Sequence, residues 1–198
     1  MCGNKEFPSI VPIGAKEGCQ AVMSFWPRRR TCKDIYGGIK IGNLELPTSI
    51  NYRFTQNFRV SADRAYKWCT SYDPADPQLM HEEGKRKINQ LSEDAIILSD
   101  VLRTNQGTVT KTKLVRLNPT EKSWTNTRLS GPQKHSQFLY RITPTGKNSS
   151  RLTFVGFQLE PKNMSKKEAA ALARKIRIED SGAWKILAKA MEKELIPE

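Results

Sequence analysis

The stretch that decides the fold is SKKEAAALARKIRIEDSGAWKILAKAMEKELI, residues 165–196. Ser165, with Glu168 three positions later, fits a capping box, in which each side chain bonds to the backbone N–H of the other residue. Beyond this start, apolar residues recur at three- and four-residue steps, which is typical of one face of an amphipathic helix. They are Leu172, Ile176, Ala183, Leu187, Met191 and Leu195. The pattern predicts one long C-terminal helix from Ser165 to near Ile196.

Asp180 interrupts this apolar stripe, and Ser181 and Gly182 follow it. A glycine in a helix interior is less favourable than alanine by roughly 1 kcal/mol. We therefore expect a kink or a close backbone approach at Gly182.

Strand-like runs separated by short turn sequences precede the helix. They cover residues 85–90, 95–104, 108–117, 123–129, 137–143 and 151–159. Turn-forming segments such as Asn105-Gln106-Gly107 and Gly146-Lys147-Asn148 lie between them. Because the links are of hairpin length, the sequence predicts an antiparallel meander.

A further strand is predicted ahead of these runs, where Tyr52, Phe54 and Phe58 alternate with polar residues. Ser61 is placed to cap a short helix over residues 62–70. The prolines at 74 and 77 separate that helix from a helical turn over 77–82. We expect a domain over residues 51–198, preceded by an irregular extension over residues 1–50 that is rich in Pro and Gly.

The chain has 198 residues and a net charge of +13. Between Lys85 and Arg151 it holds 13 Lys and Arg residues but only 4 Asp and Glu residues. Such a field attracts nucleic acid or acidic proteins, although charge on the outer face of a sheet also serves solubility alone. The candidate contacts with an anionic partner are Arg28, Arg29, Arg30, Lys111 and Lys113.

The cysteines Cys2, Cys19, Cys32 and Cys69 show no zinc-ligand spacing, so the expectation is four reduced thiols and neither metal nor cofactor. No apolar run approaches the ~20 residues of a membrane span. The first residues lack the features of a secretory signal. The sequence therefore favours a cytoplasmic protein without a membrane span.

The order of strand, two short helices, meander and long helix resembles the START-like (SRPBCC) superfamily, which includes pollen allergens and polyketide cyclases. Local echoes are FRVSADRAYKW at residues 58–68 and Tyr72-Asp73-Pro74. The resemblance covers about three quarters of the chain and implies an α+β helix-grip fold: a curved antiparallel sheet of about seven strands wrapped around the C-terminal helix, with two short helices after the first strand. It also implies hydrophobic ligands held between sheet and helix, with catalysis or protein docking in some members.

Candidate lining residues of such a cavity are mainly aromatic. They are Phe54, Phe58, Trp124, Phe138, Tyr140, Phe154, Phe157, Trp184 and Leu187, and at each of them ordinary core packing is the alternative. Asp180 is the candidate catalytic or ligand-binding carboxylate, because burial in the cavity would raise its pKa unless Arg128 or Arg141 approaches it. A solvated Asp180 is the alternative. His135 is placed at the mouth of a strand, as a ligand-orienting group or an ordinary loop residue.

Three hypotheses follow. The principal one is a non-enzymatic domain that binds a hydrophobic or lipid-like small molecule in a cavity under the C-terminal helix, for transport or sensing. The second is a basic interaction module that contacts RNA, the ribosome or an acidic protein. The third is a cyclase- or hydratase-type enzyme that uses Asp180 with a nearby Tyr or His. The identity of the ligand and the oligomeric state stay open.

Overall fold

A computed structural model describes residues 47–80, 83–105 and 107–196. Residues 1–46 of the predicted N-terminal extension, with the candidate contacts Arg28, Arg29 and Arg30, lie outside the described residues. The elements are β1 (Thr48–Phe58), α1 (Ala62–Thr70), α2 (Asp76–Leu79), β2 (Gly84–Ser92), β3 (Ala95–Thr104), β4 (Gly107–Asn118), β5 (Ser123–Ser130), β6 (Gln137–Gly146), β7 (Ser149–Glu160) and α3 (Lys166–Leu195).

The seven strands form one antiparallel sheet in the order β1-β7-β6-β5-β4-β3-β2. Strands β2 to β7 are consecutive neighbours, so the predicted meander is confirmed. Strand β1 pairs with β7, with Phe54 opposite Phe154 in the register. This pairing brings the first described strand beside the last one. Strand β1 begins at Thr48, three residues before the domain start that the sequence predicts.

Helix α3 lies across the concave face of the curved sheet and begins as the sequence predicts. Ser165 accepts a hydrogen bond from the backbone N–H of Glu168, whose side chain accepts one from the backbone N–H of Ser165. The prediction of a close backbone approach at Gly182 is wrong, because a Cβ built there meets no atom within 4 Å. The helix continues through this glycine to Leu195.

Two apolar clusters hold the sheet and helices together. The larger one joins α1 and the end of α3 to the middle of the sheet, with Phe58, Leu98, Val115, Leu152 and Met191 among its most buried members. The second lies between β1, β6, β7 and the beginning of α3; its buried members are Ile50, Tyr52, Phe138, Phe154 and Ile176. Because each strand alternates inward and outward residues, the concave side supplies both clusters.

None of the helices within the described ranges has the length and apolarity needed to cross a bilayer.

Candidate functional site

The space between the sheet and α3 is not completely filled. A hollow of about 140 Å³ lies under the middle of α3 and is lined by Lys113, Asn126, Arg128, Phe138, Tyr140, Phe154, Asp180, Ala183 and Trp184. A larger hollow of about 600 Å³ extends towards α1 and α2. Asn126, Tyr140 and Trp184 line both hollows, so the two adjoin at these three side chains.

Aromatic rings that belong to or pack against the apolar clusters also line the hollows. The rings of Trp124 and Tyr140 are parallel, with centroids 4.7 Å apart. Trp184 reaches them from α3, at 5.8 Å from Tyr140 and 6.4 Å from Trp124. Phe154 meets Tyr140 edge-on at 5.0 Å. Such faces and edges suit a flat apolar molecule, because aromatic pairs favour offset and edge-to-face contacts.

Asp180 faces the smaller hollow and has a specific partner. The hydroxyl of Tyr52 donates a hydrogen bond of 2.5 Å to Asp180 Oδ2. Burial raises the pKa of Asp180, while the hydrogen bond from Tyr52 and the charge of Arg128 oppose that rise. Burial, followed by the contact with Asp180, raises the pKa of Tyr52. Tyr52 therefore stays protonated and acts as a donor.

The close contact depends on Gly156, which lies opposite Tyr52 in the β1–β7 register. A Cβ at this glycine would stand 2.6 Å from the Tyr52 ring. Glycine thus makes room for Tyr52 to lie across β7 towards α3.

Arg128 is the cation that approaches Asp180 from the sheet. Its guanidinium donates hydrogen bonds to the carbonyl of Pro132, at 3.1 Å, and to Gln133 Oε1, and it lies 5.3 Å from the centroid of the Phe138 ring. Burial lowers its pKa. Arg141, the other partner that the sequence suggests for Asp180, instead lies on the exposed face, 3.4 Å from Glu121.

A second polar cluster closes the β2–β4 side of the concave face. Arg86 Nε lies 2.6 Å from Asp100 Oδ1, and Arg86 Nη1 lies 2.6 Å from Asp76 Oδ2 on α2. Lys113 Nζ lies 2.9 Å from Asp100 Oδ2. Burial alone would raise the pKa of Asp100, but the hydrogen bond from Arg86 and the charge of Lys113 together lower it. The cluster thus joins three strands to α2.

This cluster corrects the role that the sequence suggests for Lys113. The side chain lies inward against Asp100 instead of facing an anionic partner on the surface. Lys111 has the same phase on β4 and lies opposite Asp100 in the register. Lys113 lines the smaller hollow, so that hollow is more polar than the oily cavity that the sequence predicts.

Three buried polar atoms have no hydrogen-bond partner among the described residues. They are Tyr66 Oη, Tyr72 Oη and Asn126 Oδ1. Tyr72 and Asn126 both line the larger hollow. The amide nitrogen of Asn126 donates to Tyr140 Oη at 3.4 Å, which leaves its carbonyl oxygen as an acceptor. A buried acceptor without a partner costs about 1–3 kcal/mol, so Tyr72 and Asn126, which line the larger hollow, indicate where a polar ligand group fits.

The structure brings most of the predicted lining residues to the hollows. Those that line one or both are Trp124, Phe138, Tyr140, Phe154, Asp180, Trp184 and Leu187. Phe54 instead stacks on Phe154 at 4.6 Å, and Phe58 packs against Trp184 at 6.4 Å; neither lines these hollows. Phe157 lies on the outer face and is 40% exposed, so its predicted inward position is wrong. His135 lies in an exposed turn.

Sequence reasoning missed several inward polar residues, among them Tyr72, Arg86 and Asn126. Asn126 follows Trp124 by two positions, so its inward direction follows from strand alternation once Trp124 is placed inside. The inward direction of Arg86 could be read in the same way from Ile88. The sequence pattern did not reveal them, because polar and charged residues on a strand are normally expected on its solvent-facing side.

No protein-family model matches this chain, and no curated protein matches it. Solved structures do. Zhui aromatase/cyclase from Streptomyces sp. R1128 matches with a TM-score of 0.58 at 12% identity, over 75% of this chain and 96% of the other. Norcoclaurine synthase from Thalictrum flavum, in complex with dopamine and hydroxybenzaldehyde, matches with a TM-score of 0.56 at 15% identity. This match covers 80% of this chain and 93% of the other.

A START superfamily protein from Mycobacterium smegmatis matches with a TM-score of 0.53 at 16% identity, over 74% of this chain and 97% of the other. Each of these matches spans nearly the whole of the other chain at low identity, so the likeness concerns the fold. The described domain has the helix-grip fold that these structures share, which confirms the fold predicted from the order of elements.

Proposed function

We propose that the domain binds a small aromatic or otherwise apolar molecule that carries a hydroxyl group. Its apolar body occupies the larger hollow against Trp124, Tyr140 and Trp184. Its hydroxyl group donates a hydrogen bond to Asn126 Oδ1. The observation that carries the proposal is this buried acceptor, which has no partner among the described residues and stands beside a wall of aromatic rings.

Two further facts support the proposal. A hollow of about 600 Å³ falls within the 300–1,000 Å³ range of small-molecule sites, which are mostly apolar with a few placed polar groups. One fold neighbour is a synthase in complex with dopamine and hydroxybenzaldehyde, and both of those molecules are hydroxylated aromatics. The polar cluster around Asp100 makes a purely hydrocarbon ligand a poorer fit.

The test compares 2-naphthol with 2-methoxynaphthalene, which has no donor, by titration calorimetry. Wild type is expected to prefer 2-naphthol by roughly fivefold, since one hydrogen bond contributes about 1 kcal/mol. Asn126→Leu removes the acceptor and should abolish the preference. Thr125→Leu, on the outer side of the same strand, is the matched control and should keep it. Equal affinity of wild type for both probes, or no binding of either, would refute the proposal.

A second candidate function is proton-transfer catalysis next to a carbonyl group. It rests on Asp180, a carboxylate of raised pKa that faces a hollow and is held by Tyr52. In this function Asp180 takes the proton from the carbon beside the carbonyl, that carboxyl proton exchanges with solvent, and a solvent-derived proton returns to the same carbon. Tyr52 orients the carboxylate throughout. A raised pKa suits such a base to near-neutral pH.

Deuterium exchange into phenylacetone, followed by NMR, tests this candidate. Exchange above the buffer rate should increase as pH rises through the pKa of Asp180, because only the carboxylate form accepts a proton. Asp180→Asn should reduce the rate to that of buffer. If wild type exchanges no faster than buffer, or if Asp180→Asn exchanges as fast as wild type, this second function is excluded.

A further inference from the structure

The outer face of the sheet, defined as the side chains of β1 to β7 that point away from α3, has charge of one sign. Its basic residues are Arg53, Lys85, Lys87, Arg103, Arg116, Arg141 and Arg151, and all of them are exposed. The strands contain two carboxylates, Asp100 and Glu160. Asp100 is directed inward and only 3% exposed, and Glu160 ends β7 in the inward phase of buried Gln158. The outer face of the described strands therefore holds no acidic side chain.

The register shows how these cations are spread. One row across the sheet runs from Arg53 through Val155, Leu139 and Thr125 to Arg116. Six strand spacings separate β1 from β2, so the face is about 29 Å wide. Of these seven cations, only Arg141 forms an ion pair within the described residues, and its partner is Glu121.

The solvent side of α3 gives a contrast within the same molecule. It also carries many lysines, but acidic residues lie among them. Lys175 pairs with Glu179 at 3.9 Å, and Glu168 lies close to Lys166 and Lys167 in the chain. Solubility alone is served by mixed charge of this kind. The exclusively positive charge on the outer face of the sheet therefore indicates a role other than solubility.

The uncharged neighbours on the outer face indicate which anion fits. Between the cations stand hydroxyl and amide groups such as those of Asn51, Thr125 and Thr153, together with the exposed apolar side chains of Leu139 and Val155. Hydroxyl, amide and basic side chains are the groups that contact phosphate oxygens in nucleic-acid complexes. Phe157, exposed on the same face, offers one ring on which a base can stack.

We infer that the outer face of the sheet binds the phosphodiester backbone of a single-stranded nucleic acid without sequence preference. A face about 29 Å wide is broader than the major groove of a duplex, which is about 12 Å wide, whereas a flexible single strand can follow its surface. The contact is electrostatic, so its affinity falls steeply as the salt concentration rises. This binding is separate from the hollow under α3, because the two use opposite faces of the sheet.

The experiment measures the fluorescence anisotropy of labelled 20-nucleotide oligouridylate and oligodeoxythymidylate, titrated with the full chain at several salt concentrations. Wild type should bind with a steep linear dependence of log K on log salt. The variant Arg53→Gln/Lys87→Gln/Arg116→Gln should flatten the slope by about 2, since each lost phosphate contact changes it by ~0.7 for single strands. Equal binding of both oligonucleotides is expected, because the two have the same phosphodiester backbone charge.

The matched control is Lys166→Gln/Lys175→Gln/Lys185→Gln, which removes the same charge from α3 and should leave the slope nearly unchanged. Circular dichroism establishes that both variants are folded. Equal flattening by both variants would overturn the inference, since net charge alone would then explain binding. It would also be overturned if the outer-face variant lost binding to phosphatidylserine vesicles or to polyglutamate while its oligonucleotide slope stayed that of wild type.

Discussion

At the scale of single residues, Asp180 and Tyr52 concentrate the chemistry of the inner face. They come from α3 and β1, and they meet at 2.5 Å beside the smaller hollow. Because burial outweighs both the Tyr52 hydrogen bond and the charge of Arg128, the pKa of Asp180 is raised. In the folded state this carboxyl group therefore holds its proton to a higher pH than in the unfolded chain.

The pH dependence of stability follows from this shift. A carboxyl group with a raised folded-state pKa stabilises the fold below its unfolded pKa, and that contribution is lost as pH rises through the folded pKa. Asp180→Asn keeps an acceptor for Tyr52 but cannot ionise. We expect the variant to be more stable than wild type at neutral pH, with the difference shrinking as pH falls. Urea unfolding at several pH values checks this; a difference that stays constant with pH would contradict it.

At the scale of secondary-structure elements, the cluster around Arg86 is what fixes α2 to the edge of the sheet. Arg86 bridges Asp76 and Asp100, and Lys113 completes the contact from β4. Loss of one partner leaves a buried charge uncompensated, which costs about 3–5 kcal/mol. Because α2 and β2 border the larger hollow, this cluster also shapes the site.

Asp100→Asn should therefore lower the free energy of unfolding by about 3–5 kcal/mol at neutral pH. The lowered pKa of Asp100 means that its contribution is present above its unfolded pKa and disappears as pH falls through the folded value, so the two proteins should converge in acid. The exposed pair of Arg141 and Glu121 serves as the control, since Arg141→Gln should cost no more than about 1 kcal/mol. Similar losses from both substitutions in chemical unfolding would show that the Asp100 cluster is not the stronger contact.

Helix α3 contains a second element-scale test at Gly182. A Cβ at this position meets no atom within 4 Å, so alanine gains helix propensity without a clash. Gly182→Ala should stabilise the protein by up to about 1 kcal/mol. Gly156→Ala is the opposing case, because its Cβ would press on the Tyr52 ring. A thermal melt in which Gly182→Ala lowers Tm would show that the glycine has a role beyond those its contacts reveal.

At the scale of the whole molecule, both hollows lie between the sheet and α3, so an occupant contacts the two layers at once. A ligand that binds the folded state alone adds about 2.7 kcal/mol of stability at 100 times its Kd. Saturating 2-naphthol should therefore raise the Tm of wild type clearly more than that of Asn126→Leu. Scanning fluorimetry measures both Tm values. An equal rise of Tm in the two proteins would show that 2-naphthol binds outside the hollow that Asn126 lines.

The architecture was largely predictable because its signals are local. The capping box at Ser165 and the spacing of apolar residues identify α3, and hairpin-length links identify the meander. The direction of individual strand residues was harder, as Phe157 and Lys113 show. Lys113 points inward because its ion pair with Asp100 overrides the usual burial preference of lysine. Phe157 points outward and is exposed although it is aromatic.

The inner polar network depends on residues far apart in the chain, which explains why the sequence revealed little of it. Asp180 was visible as a break in the apolar stripe of α3, but nothing local connects it to Tyr52. Asn126 and Tyr72 have ordinary neighbours in sequence, and their buried positions arise only when the sheet closes over the helices.

The absent side chain at Gly156 has an evolutionary consequence. Any larger residue at position 156 collides with the Tyr52 ring. A substitution there is therefore tolerated only after a smaller residue has replaced Tyr52. That smaller residue would leave Asp180 without its hydrogen-bond donor. Homologues should accordingly exchange positions 52, 156 and 180 as a set, and such covariation would separate lineages that retain this proton-holding pair from those that have abandoned it.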